Sequence, residues 1–188
     1  LVSSSAASDV YKRQLLFNLN KMKLRLRALE PSDLEMMYDI ENDESLWVYS
    51  NTTSPFSKHT LKNFIENSHL DILDHKQVRL VIYDDSNSYG FIDLFDYNHI
   101  SRRAGIGIVI FERFRSKGIG SLSLKLIEEH VLNHVPIHQL YANISSNNFE
   151  SISLFKKNGY CKVGVKKDWV FYNNKFIDEV LFQKILNK

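Results

Sequence analysis

The sequence predicts a mixed fold of the α+β kind within the α/β class, with a largely antiparallel central sheet of about seven strands and helices on both faces. Two observations carry this. Three strand-like runs follow one another across short polar breaks, and a single helix-period segment then separates them from the next strand. That is an antiparallel meander feeding one crossover, not the regular strand–helix alternation of a doubly wound sheet. At 188 residues the chain is sized for one domain, burying roughly two thirds of the surface its unfolded form exposes.

Residues 1–21, opening "LVSSSAASDVYKRQ", have neither strand nor helix periodicity and no long apolar core of a signal peptide. They are expected to be a non-native or disordered extension, with Met22 as the native start and 22–188 as a single domain. "KLRLRAL" then alternates Leu24, Leu26 and Ala28 with basic residues, as a half-buried strand does. "PSDLEMMYDIE" follows with Ser32 as N-cap and Glu35 three residues on, a capping-box signature. After the polar stretch "NDESLWVYSNTTSPFS", a second helical pattern carries Leu61, Phe64, Ile65, Leu70 and Leu73.

"QVRLVIYDD", "YGFIDLFDY" and "RRAGIGIVIF" form the meander, with turns at 85–88 and 98–101. A helix over 117–133 carries Leu122, Leu126, Ile127 and Val131 and stops before Pro136. "QLYANIS" is a strand. "NNFESISLFKKNGY" starts with an asparagine cap, puts Ile152 and Phe155 on one face, and ends in Asn158-Gly159, suited to a left-handed C-cap. The last segment folds as two strands around an Asn-Asn-Lys turn.

Composition narrows the function. Hydrophobic residues at 44% and charged residues at 24% are globular values, and no apolar run reaches the length of a membrane span. The formal charge is +2, with 24 basic residues scattered among 22 acidic ones. Neither a nucleic-acid nor a membrane partner is expected. The single cysteine, Cys161, excludes an internal disulfide and fits a cytoplasmic protein; it is expected to be a buried structural thiol. His130 and His134 lie four apart, but without the Glu of H-E-x-x-H they fit a helix C-terminus better than a metal site, and no metal is expected.

"RFRSKGIGSLSLKLIEEH" carries the chemistry. The Walker A pattern needs Lys after the last glycine, where Ser121 stands, and the dinucleotide fingerprint needs a third glycine, where Ser123 stands. What remains is a strand, a Gly-Ile-Gly turn flanked by Arg115 and Lys117, and a helix N-terminus, which offers unpaired N–H groups and a positive dipole end to an anion such as pyrophosphate. The same residues also make a plain strand-to-helix turn with surface cations.

"RSKGIG" at 115–120 resembles the acetyl-coenzyme A pyrophosphate loop of the GNAT N-acetyltransferase superfamily, Gln/Arg-x-x-Gly-x-Gly/Ala. "NFESISLFKKNGY" at 148–160 resembles that family's second motif, an Asn with Ser three, an aromatic seven and Gly-aromatic eleven and twelve residues on. The likeness runs from Met22 to about Leu186 and is nearest to spermidine and diamine N-acetyltransferases and to ribosomal-protein N-terminal acetyltransferases. It implies a GNAT-like sheet and acetyl-coenzyme A as co-substrate. Backbone groups of Ile108, Val109 and Ile110 would bond the pantetheine arm. The loop Arg115, Ser116, Lys117, Gly118, Ile119, Gly120 and Ser121 would hold the pyrophosphate, with Asn148 and Phe155 reaching the cofactor from the next helix. An amine would attack the thioester directly, with a backbone N–H near Ile110 steadying the oxyanion.

The chain departs from the family twice. Phe155 stands where many relatives have a Tyr acid, and Gly105 where many have a Glu base. Asp93, Tyr97 and His99 are the remaining candidates for proton transfer through a water relay. Glu41, with Asp39, Asp43 and Glu44 near it, stands beside Trp47 and Tyr49 in the loop that borders the acceptor side, suiting a polycation through ion pairing and cation–π contact. The expected activity is acetyl transfer to a polyamine or small amine. The alternatives are a protein N-terminal acetyltransferase and a non-catalytic acetyl-coenzyme A-binding protein. A homo-oligomer fits the resemblance.

Overall fold

Seven strands form one sheet in the order β1-β2-β3-β4-β5-β7-β6 in the computed structural model, which describes residues 23–68 and 72–186. They are β1 (Arg25–Ala28), β2 (Val78–Tyr83), β3 (Ser88–Asn98), β4 (Arg103–Ile110), β5 (Gln139–Ser145), β6 (Cys161–Tyr172) and β7 (Lys175–Ile185). Every pairing is antiparallel except β4 with β5. The expectations for residues 1–21, Met22, Leu70 and the Leu73 side chain lie outside the described residues.

Helices cover both faces. On one, α5 (Ile119–His134) and α6 (Phe149–Lys157) close a core in which Ile92, Leu94 and Ile106 meet Leu124, Ile127 and Val131. The buried side of α5 runs through Ile119, Leu124, Ile127 and Val131, with Leu122 and Leu126 at its margin. On the other, α1 (Leu34–Glu41) and α3 (Lys58–Glu66) bring Met37, Leu61 and Ile65 onto Val81 and Phe91. Each fully buried aliphatic or aromatic side chain contributes about 2 kcal/mol of transfer free energy, so the two layers fix the sheet from both sides. The Asn173-Asn174 turn between β6 and β7 has φ of 49° and 59°, and Gly159 follows α6 at φ 84°, as their sequences require.

Local chemistry overrides the sequence pattern in several places. Ser32 is not an N-cap. Pro31–Asp33 form a 3-10 turn, and the Asp33 carboxylate accepts from the Glu30 amide at 2.8 Å before α1 begins at Leu34. Ala28, the last residue of β1, is exposed and Leu29 is buried, and Arg27 beside them forms a two-pronged pair with Asp33, at 2.6 and 2.8 Å. The polar stretch read as a loop contains α2 (Glu44–Ser50), so Trp47 and Tyr49 are helical; Asp43 caps it through Ser45 N, and Asn51 ends it at φ 55°. The long second helix is instead α3, ending at Glu66, and the separate turn α4 (Ile72–His75). Cys161 is exposed, because it opens the edge strand β6 rather than a central one.

The Arg27–Asp33 pair is a partly buried charge contact, with the Asp33 side chain 6% exposed. Burial alone would raise the Asp33 pKa, but the Arg27 hydrogen bonds, the Glu30 amide and the Arg27 charge together hold it below the usual carboxylate range. Its stabilising contribution is therefore complete above the unfolded carboxylate value and lost as pH falls through the lower folded value. Asp33→Asn should cost about 2 kcal/mol in urea unfolding at pH 7. That cost should shrink as pH falls below about 4, the unfolded carboxylate value, and the wild-type carboxylate protonates in turn.

Candidate active site

The site grows from one topological fact. β4 pairs with β3 out to Ile110, opposite Gly90, but with β5 only from Arg103–Gln139 to Gly105–Tyr141. Beyond that last pair the two parallel strands separate. Residues 106–110 on β4 and Ala142–Ser145 on β5 then border a wedge, each paired with a neighbouring strand on its outer side only. Sheet backbone left unpaired in this way is a ready template for an extended ligand.

The anion loop stands at the wide end. A 3-10 turn, Glu112–Phe114, follows β4, and Ser116 at φ 59° and Gly118 at φ 80° turn the chain into α5. Gly118 has no side chain to cap the helix, so the first N–H groups of α5 are not taken up locally. Arg115 Nε donates to Ile110 O at 3.0 Å and Lys117 Nζ to Arg113 O at 2.8 Å, which ties both cations beside the turn. A sixteen-residue helix dipole and two cations therefore converge on one backbone concavity. Ile119 is buried, and Ser121 Oγ accepts from Asn158 Nδ2 at 3.0 Å. Gly120 faces α6, where a Cβ would stand 3.2 Å from Leu154 Cδ2.

Asn148 is the N-cap of α6, accepting from Ser151 N at 3.0 Å. Phe155 is 2% exposed and meets the Tyr160 ring edge-on at 4.8 Å, inside the α5-side core. Burial, reinforced by the charge of Glu128, pushes the Tyr160 phenol well above its ordinary range.

A cavity of about 310 Å³ opens on the other face of the sheet, between α1, α3 and strands β2 and β3. Its charged element is Arg79. The guanidinium donates to Asp93 from Nε at 2.7 Å and from a terminal nitrogen at 3.0 Å, and its other terminal nitrogen bonds Glu41. Burial would lower the Arg79 pKa, but the Asp93 and Glu41 charges outweigh it and hold the group above its ordinary value. Trp47 Nε1 donates to the Glu41 carbonyl at 2.9 Å, and α2, which carries it, lies against β5. Tyr49 is exposed.

Glu41 and Asp93 are thus brought together on Arg79, with Trp47 bonded to the Glu41 backbone, while Tyr97 and His99 stand elsewhere. A register shift after Phe95 turns the Tyr97 ring into the α5-side core, where its hydroxyl is buried with no hydrogen-bond partner among the described residues. His99 is exposed in the turn before β4. Three residues at this site escaped the sequence: Arg79, Phe95 and Tyr141. Arg79 was visible only as a lone cation in an otherwise apolar strand, and the two aromatics read as ordinary strand residues. Among the described residues no cluster of three or more His, Cys, Asp or Glu side chains is placed for a metal; the His130 and His134 rings stack at 4.8 Å.

Residues 23–160 match the family model of the acetyltransferase (GNAT) domain. The spermidine N(1)-acetyltransferase of Escherichia coli (strain K12) is 26% identical over 156 residues, covering 81% of this chain and 81% of that protein. The solved spermidine N-acetyltransferase from Vibrio cholerae, in complex with CoA and spermine, superposes with a TM-score of 0.80 at 22% identity, covering 87% of this chain and 96% of that one. A Salmonella typhimurium acetyltransferase that modifies the N-terminal serine of ribosomal protein L7/L12 superposes with a TM-score of 0.76 at 19% identity, covering 87% and 95%. The wedge, the anion loop and the match over residues 23–160 have one common meaning: this chain belongs to the GNAT acetyltransferase family.

Proposed function

We propose that the protein transfers an acetyl group from acetyl-coenzyme A to a primary amine, with a polyamine as acceptor. The observation that carries this is the wedge: β4 leaves its inner edge unpaired between the anion loop and Gly105, which suits a long ligand with phosphates at one end and a reactive group at the other. Acetyl-coenzyme A supplies the acyl group as an activated thioester. The free edge of Ile108, Val109 and Ile110 bonds the amide-bearing arm, and the N–H groups from Ser116 to Ser121 hold the pyrophosphate, assisted by Arg115 and Lys117. A β4 N–H on the free edge where the strands part, toward Gly105, stabilises negative charge developing on the carbonyl oxygen.

The acceptor side favours a cation. Glu41 and Asp93 share the single guanidinium of Arg79, which leaves the trio with a formal charge of −1 beside the cavity. The relatives named above include both polyamine and ribosomal-protein acetyltransferases, and a largely apolar cavity with a net charge of −1 suits the alternating methylenes and cations of a polyamine. A homo-oligomer is supported by the exposed Trp169, Phe171 and Phe176 on the edge hairpin β6–β7, an apolar surface that self-association would cover.

Release of free coenzyme A, measured across spermidine, spermine, putrescine and basic N-terminal peptides, tests the function. The polyamines should turn over and the peptides should not; cofactor binding with only background release for every acceptor would leave a binding protein. Because an alkylamine has a pKa of about 10.4, its neutral fraction rises roughly tenfold per pH unit below that value. The rate at subsaturating spermidine should therefore climb steeply from pH 7 to 9.

Gly118→Val forces a β-branched residue into a left-handed turn, at a cost of about 1–2 kcal/mol. Calorimetry should show acetyl-coenzyme A affinity lowered tenfold or more. Glu41→Gln removes the cavity's excess negative charge, so the KM for spermidine should rise severalfold with the affinity for acetyl-coenzyme A unchanged.

A further inference from the structure

The narrow end of the wedge holds a feature that neither the anion loop nor the acidic cavity accounts for. Gly105 forms the last β4–β5 pair, opposite Tyr141 on one side and Phe95 on the other. A Cβ on Gly105 would stand 2.6 Å from Phe95 Cζ and 2.7 Å from its Cδ2, well inside van der Waals contact. A Cβ on Gly107 would stand 3.7 Å from Phe95 Cε1. The ring therefore lies directly on the bare backbone of Gly105 and reaches toward Gly107, covering the β4 surface where the strands part.

Its neighbours hold it there. The Tyr141 ring meets Phe95 edge-on, with centroids 6.2 Å apart, and Tyr141 Oη donates to Asp96 Oδ2 at 3.3 Å, which fixes the second ring across the strand gap. On its other side Phe95 borders the cavity that holds Arg79, Asp93 and Glu41. The ring thus stands between Gly105 and the cavity, beside Asp93, whose carboxylate comes within 3.9 Å of where a Cβ on Gly107 would stand, and it is only half-buried. A half-buried aromatic face between a cation-attracting cavity and a reactive end is suited to holding the methylene chain of an amine.

We propose that Phe95 is the acceptor-positioning residue of this enzyme, its ring floored on Gly105 so that an alkylamine entering from the acidic cavity lies across it with its nitrogen at the wedge apex. This rests on the transfer function proposed above. Gly105 then has a definite role: any side chain at that position displaces the ring.

The test is a two-by-two cycle of Phe95→Ala and Gly105→Ala, with Phe95→Leu as the conservative variant. It is read by spermidine kinetics at saturating acetyl-coenzyme A, by calorimetric titration of spermidine into the coenzyme A complex, and by thermal melting. Phe95→Ala should raise the spermidine KM and dissociation constant by roughly tenfold, the scale of one lost aromatic contact. Coenzyme A affinity should stay within twofold, and Phe95→Leu should recover most of the loss. Gly105→Ala should mimic Phe95→Ala in the wild-type background and lower the melting temperature by several degrees, and both effects should vanish when Phe95 is already Ala.

Unchanged spermidine binding in Phe95→Ala, or additive effects of the two substitutions, overturns the proposal. If the wild type binds spermidine in the coenzyme A complex but never turns over, the transfer function fails while Phe95 is still read by the titration. If the wild type does not bind spermidine at all, the positioning role falls.

Discussion

The structure depends on where β4 stops pairing with β5. A parallel pair that ran the full length of both strands would satisfy its backbone and present nothing; this one runs for three residue pairs and then opens. The cost is a row of N–H and C=O groups without sheet partners in the middle of a seven-stranded sheet, where edges are normally absent. Flanking strands make that tolerable. β3 bonds the outer side of β4 through Ile110, and β7 bonds β5 through Ser145, so each lip is held rigidly while its inner edge stays free.

The α5-side core supplies the second constraint. Ile106 on β4, Ile144 on β5, and Leu124 and Ile127 on α5 belong to one buried cluster, so the helix cannot shift without moving both lips. Because α5 begins directly after the Gly118 turn, packing its apolar stripe also aims its N-terminus and the anion loop. Gly120 lets α6 come within contact of that first turn through Leu154, and the Asn158 side chain bonds Ser121. Hydrophobic burial thus sets the position of the polar site, which supplies little stability itself.

Legibility in the sequence followed how local each feature is. The Gly-Ile-Gly turn, the Asn148 cap and the Asn173-Asn174 hairpin are encoded within a few residues, and each appears as its residues imply. So does the strand order of the meander, which needs only short turns. The acceptor side was poorly legible because it is assembled across elements: Arg79 on β2 meets Asp93 fourteen residues on and Glu41 thirty-eight residues back. Helix α2 was hidden in a polar stretch because its caps, Asp43 and Asn51, look like loop residues. Tyr97 could not be placed from alternation alone, since a register shift after Phe95 changes which face later residues occupy.

Two proton problems face direct transfer to an amine, and they differ in size. Bringing a protonated alkylamine of pKa about 10.4 to its neutral form at pH 7 costs about 5 kcal/mol, whereas releasing a thiolate whose acid has a pKa near 8.5 costs about 2 kcal/mol. Phe155, sealed in the core against Tyr160, offers no acid for the smaller problem, and solvent suffices for it. The larger one falls at Gly105, where no carboxylate can stand without expelling the Phe95 ring. An apolar aromatic floor acts on the same equilibrium by another route: it strips water from the amine, and desolvation favours the neutral form. The carboxylates that attract the cation, Glu41 and Asp93, are bound to Arg79 in the cavity that borders the ring. Attraction and deprotonation thereby fall to different neighbouring groups, the first to the carboxylates, which favour charge, and the second to the apolar ring beside them, which does not.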